Sequence, residues 1–210
     1  MTGNSLTKSR RLVRRSRALG IALTPKAAKY LDRRNYGPGD HGRTARKKDS
    51  DYKVRLKEKQ KLREQYALRE KQLRAMYDWA KTRPGLTGEV MIETLETRLD
   101  ALVLRAGFAR TIYQARQVVT HGHLLVDGVK LDRPSAKVKP GQTVQIKPKS
   151  QTSAQFIVAA QGSHRDVLSP TPDYLDVELT KLKFKLVHQP KRSEIPVICE
   201  ENLVVEFYAR

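Results

Sequence analysis

The sequence predicts an α+β fold, in which a mostly helical domain with a basic N-terminal arm is joined to a small domain of two helices packed on a short antiparallel sheet. Apolar residues recur at helical spacing from about residue 49 to residue 106. Beyond them, Asp127-Gly128 separates two short apolar stretches, which is a strong signal for a β-hairpin. We therefore expect three parts: the arm over 1–45, a helical domain over 46–90 that is completed by 178–210, and the small domain over 91–177.

Positive charge dominates the composition. The 210 residues include 42 Lys and Arg against 22 Asp and Glu, a formal net charge of +20. Residues 1–50 hold 14 basic and 3 acidic residues, and 101–150 hold 9 and 2, whereas 151–210 hold 7 and 8. The electrostatic field of such a charge excess attracts polyanions, and nucleic acid is the obvious one. A membrane surface is the rival target, but no apolar run approaches the ~18 residues of a spanning helix.

The first 31 residues contain no acidic residue and include the dense basic run KSRRLVRRSR. A mitochondrial transit peptide has a similar Arg-rich, acid-poor composition, but the turn-rich run RRNYGPGDHGR follows without a cleavage-like boundary. A basic arm laid along phosphates fits better. Because few of its residues can form a core, we expect residues 1–45 to be largely disordered until they bind nucleic acid. The single cysteine, Cys199, fits a reducing compartment.

The helical pattern begins near residue 49, where Asp49, Ser50 and Asp51 offer N-cap side chains. It predicts a long helix up to Lys81, and Pro84-Gly85 ends this unit because proline cannot continue a helix. Its apolar face has spacings of three, four and seven residues and consists of Leu62, Tyr66, Leu73, Tyr77 and Ala80. A solvated amphipathic helix is the plainer interpretation of the charged face, EKQKLREQ.

Two further helices are predicted in the small domain. The first ends at Gly107, where glycine suits the position after a helix. Thr111 and Gln114 have the spacing of a capping box and begin a shorter helix, which Gly122 ends. The apolar stripe of the first helix consists of Met91, Leu95, Leu99, Leu102 and Ala106.

Strands are predicted after these helices. HLLV and VKL lie on either side of Asp127-Gly128, and Pro140-Gly141 precedes a third stretch of alternating apolar residues. The segment 151–177 is rich in turn formers and has no clear pattern. The closing NLVVEFYAR suits a strand or a final packed segment.

His121 and His123 flank Gly122 where the short helix meets the first strand. Zinc usually needs about four converging ligands, and neither a Cys nor an acidic residue lies close enough in sequence to complete the set. No recognisable nucleophile motif surrounds Cys199. We therefore expect both imidazoles to face nucleic acid, because phosphates and 2′-hydroxyls accept hydrogen bonds from such side chains. A basic helix that is merely soluble is the remaining alternative.

Four separated motifs resemble a single family and occur in its order: RRNYGPGDHGR, SDYKVRLKEKQKLREQY, ETRLDALVLRAGFARTIYQARQVVTHGHLLVDGVKLDRPSAKVKPG and LVVEFYAR. The family is that of small-subunit ribosomal protein four, and the resemblance covers nearly the whole chain. It implies a primary binder of 16S rRNA that nucleates assembly of the small subunit in the cytoplasm. It also implies a place beside ribosomal proteins three and five where mRNA enters the ribosome, and an influence on decoding accuracy.

The resemblance also implies which residues contact rRNA. They lie in the arm, in the long helix and in the small domain. Carried over motif by motif, they are Arg33, Arg34, Tyr36 and His41, then Lys59, Lys61 and Arg63, and finally Arg105, Arg110, Gln114, Arg116, Gln117, His121 and His123.

Many members of this family hold zinc through a cysteine cluster near the N-terminus. The corresponding run here, SLTKSRRLVRRSRALGIALTPKAAKYLDRR, has no cysteine, so the sequence predicts no zinc and no other cofactor. An RNA-modifying enzyme is one alternative, but the 60 residues after residue 150 are too few for a catalytic domain. An mRNA-binding translational repressor is the other alternative, and the sequence leaves it open.

Overall fold

The structure is a computed structural model that describes residues 3–44 and 48–209, so positions 1, 2 and 45 of the predicted arm lie outside the described residues. The helices are α1 (Gly3–Leu19), α2 (Pro25–Arg33), α3 (Asp51–Gln65), α4 (Glu70–Ala80), α5 (Thr87–Glu96), α6 (Leu99–Arg105), α7 (Ile112–Thr120), α8 (Pro148–Gln151), α9 (Ala154–Ala160) and α10 (Glu201–Ala209). The strands are β1 (Leu124–Val126), β2 (Val129–Lys130), β3 (Thr143–Ile146), β4 (Leu175–Glu178) and β5 (Lys183–Leu186). The predicted α+β class is confirmed.

The chain divides into two compact units, one formed by Met1–Ala75 with Val197–Arg210 and the other by Met76–Pro196. These limits differ from the boundaries expected at 90 and 177. The physical reason is strand pairing, since β5 pairs with both β3 and β4 and so brings the segment after residue 177 into the second unit. In the described part of the chain, no helix has the length and apolar character needed to cross a membrane.

The first two helices pack against each other, and Ser16 of α1, Ala27 of α2 and Ile21 in the turn between them are buried. In the turn between the helices, Ser16 Oγ accepts a hydrogen bond from the Leu23 N–H at 3.2 Å. Thr24 Oγ1 caps α2 by accepting from the Ala27 N–H at 3.2 Å. This part of the arm therefore has caps and packing contacts of its own, which its composition did not predict. Its disorder before rRNA binding stays a prediction.

The predicted long helix is divided into α3 and α4 by a break at Ala67. Ser50 caps α3, as one of the three expected candidates. At the other end, the Ala67 N–H donates to the Glu64 carbonyl at 3.1 Å and the Leu68 N–H donates to the Arg63 carbonyl at 2.9 Å, which is a Schellman motif. Ala67 has a φ of 48°, a left-handed conformation that glycine usually takes. With alanine at this position, the sequence gives no local sign of the break.

The closing helix α10 packs along α3 in the first unit. Val204 and Tyr208, one helical turn apart, form its buried face. The Arg55 guanidinium on α3 donates to the Glu206 carboxylate at 2.6 Å. The final segment is therefore the packed segment that the sequence allowed, and the strand interpretation is wrong because apolar residues four apart suit a helix.

The apolar stripe predicted as one helix is also divided, into α5 and α6, at Thr97 and Arg98. Backbone groups at this break are satisfied by the loop after β2, because the Val138 N–H donates to the Thr97 carbonyl at 2.9 Å. Gly107 then ends α6 with a φ of 79°, as predicted.

The strands form a five-stranded antiparallel sheet in the order β2-β1-β3-β5-β4. Asp127 and Gly128 make the predicted turn between β1 and β2, with φ values of 48° and 83° that fit a type I′ hairpin. The last two strands enlarge the small sheet that the sequence predicts. In the core, the Phe184 ring of β5 packs against the Phe108 ring, which follows α6, with ring centroids 5.5 Å apart.

Candidate nucleic-acid interface

Gly122 closes the corner where α7 meets β1. Its N–H donates to the Val119 carbonyl at 2.8 Å, and the His123 N–H donates to the Val118 carbonyl at 3.3 Å, which again is a Schellman motif. Gly122 has a φ of 69°, and a Cβ at this position would lie 2.5 Å from Lys130 Cε. The corner therefore favours glycine for its backbone conformation, whereas the flexible end of the Lys130 side chain could move away from a Cβ.

The two histidines of this corner have different environments. His121 is exposed, whereas His123 is half-buried with its Nδ1 2.9 Å from Ser150 Oγ and its ring edge-on to Phe156 at 5.5 Å. Burial lowers the pKa of His123 below its ordinary value, and the positive charges of His121 and Lys147 lower it further. His123 is thus packed in its neutral form, and His121 is the imidazole that a ligand can reach.

Arg116 is held by a buried carboxylate. Its Nε and Nη2 donate to Asp100 Oδ2 at 3.1 and 2.7 Å, and Arg98 also donates to both Asp100 oxygens, at 3.0 and 2.9 Å. The Asp100 side chain is 0% exposed, whereas that of Arg116 is 29% exposed. One negative charge thus faces two guanidinium groups, and part of the positive excess reaches the surface through Arg116.

Arg105 is held in the same way by a second buried acid. Its Nε donates to Glu96 Oε1 at 2.5 Å, and the Tyr174 hydroxyl donates to the same oxygen at 2.8 Å. Burial, and then the charge of Glu96, raise the pKa of Tyr174 far above its ordinary value. Arg105 therefore neutralises an internal carboxylate, and this pairing explains its position without any contact to nucleic acid.

The three cations predicted from the long helix are also paired within their own unit. Lys59 is buried, so the structure gives it a place in the core and not on a binding surface. Lys61 and Arg63 are half-buried, so part of each side chain is accessible to a ligand. The nitrogen–oxygen distances are 2.7 Å for Lys59–Glu70, 2.6 Å for Lys61–Glu58 and 2.7 Å for Arg63–Glu64.

One face of α7 and its flanks keeps its polar groups exposed or half-buried. Positions 110, 114, 117 and 121 follow spacings of four, three and four, which places them on one side of a helix. We call this set the α7 stripe, and its members are Arg110, Gln114, Gln117 and His121. Thr111 Oγ1 caps the helix by accepting from the Gln114 N–H at 3.2 Å, while Gln114 Oε1 accepts from the Arg110 N–H at 2.9 Å.

The predicted residues of the arm lie at the surface of the first unit. Arg33, Arg34, Tyr36 and His41 are all exposed. The Arg17 guanidinium stacks on the Tyr36 ring at 4.8 Å and donates to the Tyr36 carbonyl at 3.2 Å, which orients this ring. The arm thus presents cations and an aromatic face together.

A second group of cations around an exposed aromatic ring is not predicted by the sequence. The Lys137 ammonium and the Arg83 guanidinium lie 4.2 and 4.8 Å from the centre of the Trp79 ring, which is 36% exposed. Burial, and then the charge of Arg83, lower the pKa of Lys137. The only signal in the sequence is a lone tryptophan near Arg83, because Lys137 joins it from a distant loop.

Among the residues that the structure describes, no three His, Cys, Asp or Glu side chains converge in a way that could hold a metal ion. The absence of zinc stays a prediction.

The exposed cations, amides and aromatic rings fit a nucleic-acid-binding protein, since phosphates attract cations, and bases bond to amides and stack on rings. A family described as "Ribosomal protein S4/S9 N-terminal domain" matches residues 7–96, and one described as "S4 domain" matches residues 97–144.

Relatives of nearly the same length are similar throughout. The small ribosomal subunit protein uS4 of Arthrobacter sp. (strain FB24) is 63% identical over 204 residues, which are 97% of this chain and 98% of the relative. The uS4 protein of Beutenbergia cavernae is 60% identical over 99% of this chain and 100% of its own length, and that of Micrococcus luteus is 60% identical over the full length of both. The chain belongs to the ribosomal protein S4 family.

Proposed function

We propose that the chain is a primary rRNA-binding protein that nucleates assembly of the small ribosomal subunit and supports mRNA passage and decoding accuracy. As a member of its family, it is a structural constituent of the small subunit in the cytoplasm and not an enzyme. The observation that supports rRNA binding is the α7 stripe, whose amides and imidazole lie on the same side of the helix as Arg110, and the resemblance of the motifs supports the finer roles. Within the described part of the chain, the structure gives Arg110 no carboxylate partner.

The proposed rRNA contacts lie in each unit separately: the α7 stripe in the second unit and the exposed arm residues in the first. Arg116, Lys61 and Arg63 are paired with carboxylates but partly exposed, and we propose that their exposed parts also contact rRNA. Lys59, Arg105 and His123 are left out of the proposed contacts, because they are buried or internally bonded. The proposed partners beyond 16S rRNA are ribosomal proteins three and five and the mRNA that enters beside them, which the resemblance of the motifs supports.

Sedimentation and stepwise reconstitution test this proposal. The chain should travel with small subunits in a sucrose gradient. It should also bind naked small-subunit rRNA before any other ribosomal protein is added. A chain that binds only after several other proteins are present would not be a primary binder, although it would remain a subunit constituent.

Replacing His121 with alanine should weaken rRNA binding by about 1 kcal/mol, roughly fivefold, because one exposed hydrogen bond or stacking contact is lost. The melting temperature should not change. Binding is measured by filter retention and stability by thermal unfolding.

His123→Ala is the matched control on the other side of Gly122. It should lower the free energy of unfolding by about 1–2 kcal/mol through the lost Ser150 and Phe156 contacts. Binding per folded molecule should stay close to that of the wild type. If both variants lost binding equally and neither lost stability, the division of roles between the two histidines would be wrong.

Purified protein should contain no stoichiometric zinc by elemental analysis, because the arm has no cysteine to supply thiolate ligands. A chelator should leave both the melting temperature and rRNA binding unchanged. One zinc ion per chain would contradict this prediction and would require a site built from histidines.

A further inference from the structure

A cleft between α1 and α2 lies outside the residues that the resemblance assigns to rRNA. It has a volume of about 490 Å³ and is lined by Arg10, Val13, Arg14, Arg17, Lys26, Tyr30, Pro38 and Gly39. Ligand pockets for small molecules span roughly 300–1,000 Å³, so the cleft has room for a single nucleotide. It lies entirely within the first compact unit.

The walls of the cleft follow from helical spacing. Arg10, Arg14 and Arg17 are separated by four and three residues and so lie on one side of α1. Lys26 and Tyr30, four residues apart on α2, lie on the facing side. Two helices thus bring four cations and one phenol ring to the same space.

Charge in the cleft is not balanced by the protein. In the described ranges, the structure gives no carboxylate partner to Arg10, Arg14 or Lys26, and no acidic residue lines the cleft. Arg17 is different, since its guanidinium is fixed by the carbonyls of Tyr36 and Gly37 at 3.2 and 2.9 Å. Positive charges that line one cleft without a carboxylate repel one another, so the arrangement favours an anion between them.

Tyr30 determines which anion fits. Tyr30 lines the cleft and is 42% exposed, so a ligand can reach its ring. An acidic peptide would need only the cations. A nucleotide would use both parts, with its phosphate against the cations and its base stacked on the ring.

We propose that this cleft binds one unpaired RNA nucleotide, with the phosphate held by Arg10, Arg14 and Lys26 and the base stacked on Tyr30. The nucleotide is unpaired because the faces of paired bases are hidden inside an A-form helix. Stacking tolerates any base, so the cleft recognises an extruded nucleotide and not a sequence. This inference rests on the proposed rRNA-binding function and names a contact within it.

The test compares four variants of the full chain in binding to small-subunit rRNA at one fixed salt concentration, with thermal unfolding as the check on folding. Tyr30→Leu should weaken binding by about 5- to 150-fold, the effect of losing one stacked base. Tyr30→Phe should bind within about twofold of the wild type, because the ring is retained. Arg14→Gln should weaken binding more than Arg11→Gln, which removes the same charge from an exposed position on α1 outside the cleft.

Ultraviolet crosslinking of the wild-type complex adds a direct readout, and the RNA adduct should map to Tyr30. If Tyr30→Leu binds like the wild type and the two arginine variants lose affinity equally, the arm acts as a uniform charged surface and the cleft proposal is overturned. An RNA adduct that maps elsewhere on the arm and not to Tyr30 would also overturn it. If the wild-type chain itself fails to bind rRNA, the proposed function fails together with the cleft.

Discussion

Raising the salt concentration from about 50 to about 200 mM should weaken binding of the chain to small-subunit rRNA by roughly 10³- to 10⁵-fold. This range follows if about six to ten phosphates are neutralised, because each neutralised phosphate releases condensed counterions. The excess of 42 basic over 22 acidic residues, concentrated in residues 1–50 and 101–150, motivates this footprint. Affinity is measured by filter retention across a salt series.

Single charges can be assigned from the slope of that series. Arg110→Gln should reduce the slope of log affinity against log salt by about 0.7–0.9, the contribution of one phosphate contact. Lys181→Gln is the control, because Lys181 is exposed but paired with Glu178 at 2.6 Å in the nearly neutral last part of the chain. A binding constant that scarcely changes with salt would contradict the phosphate footprint.

Replacing Asp100 with alanine should lower the free energy of unfolding of the Met76–Pro196 unit by about 3–5 kcal/mol. The carboxylate is fully buried and accepts hydrogen bonds from Arg98, Arg116 and the Ala101 N–H. Its removal leaves Arg98, whose side chain is 8% exposed, as a buried charge without its counter-ion. Urea unfolding of the purified chain measures the loss.

A surface pair provides the comparison for this variant. Lys130 and Asp132 lie 3.7 Å apart with both side chains more than half exposed, so Asp132→Ala should change stability little. If Asp100→Ala were as mild as Asp132→Ala, water would be replacing the carboxylate, and the internal role of Arg116 would be wrong.

Local signals in the sequence predicted the ends of several elements correctly. Thr111, Gly107 and Gly122 act where expected because each interacts with backbone within a few residues of itself. Asp127-Gly128 is confirmed for the same reason, since a two-residue turn depends on its own φ values.

Local signals could not predict interactions between residues that are distant in the sequence. β5 joins β3 from the far side of residues 151–177, and the sequence of that segment, which holds α9 and the start of β4, shows no periodicity that predicts the pairing. Arg105 and Arg116 look like surface cations in the sequence, yet their guanidinium groups pair with the buried carboxylates of Glu96 and Asp100. Ala67 breaks the long helix in a conformation that alanine rarely takes. Burial and strand partners are properties of the whole fold, so one sequence read in short windows could not supply them.

The first compact unit also has a consequence for the order of events during synthesis. It is discontinuous, because α10 follows the whole of the Met76–Pro196 unit in the chain yet packs on α3. Domains fold as units while the chain is being made, from the N-terminus onward. The Met76–Pro196 unit can therefore fold before α10 exists, whereas the face of α3 on which α10 packs stays uncovered until residues 201–209 have been synthesised.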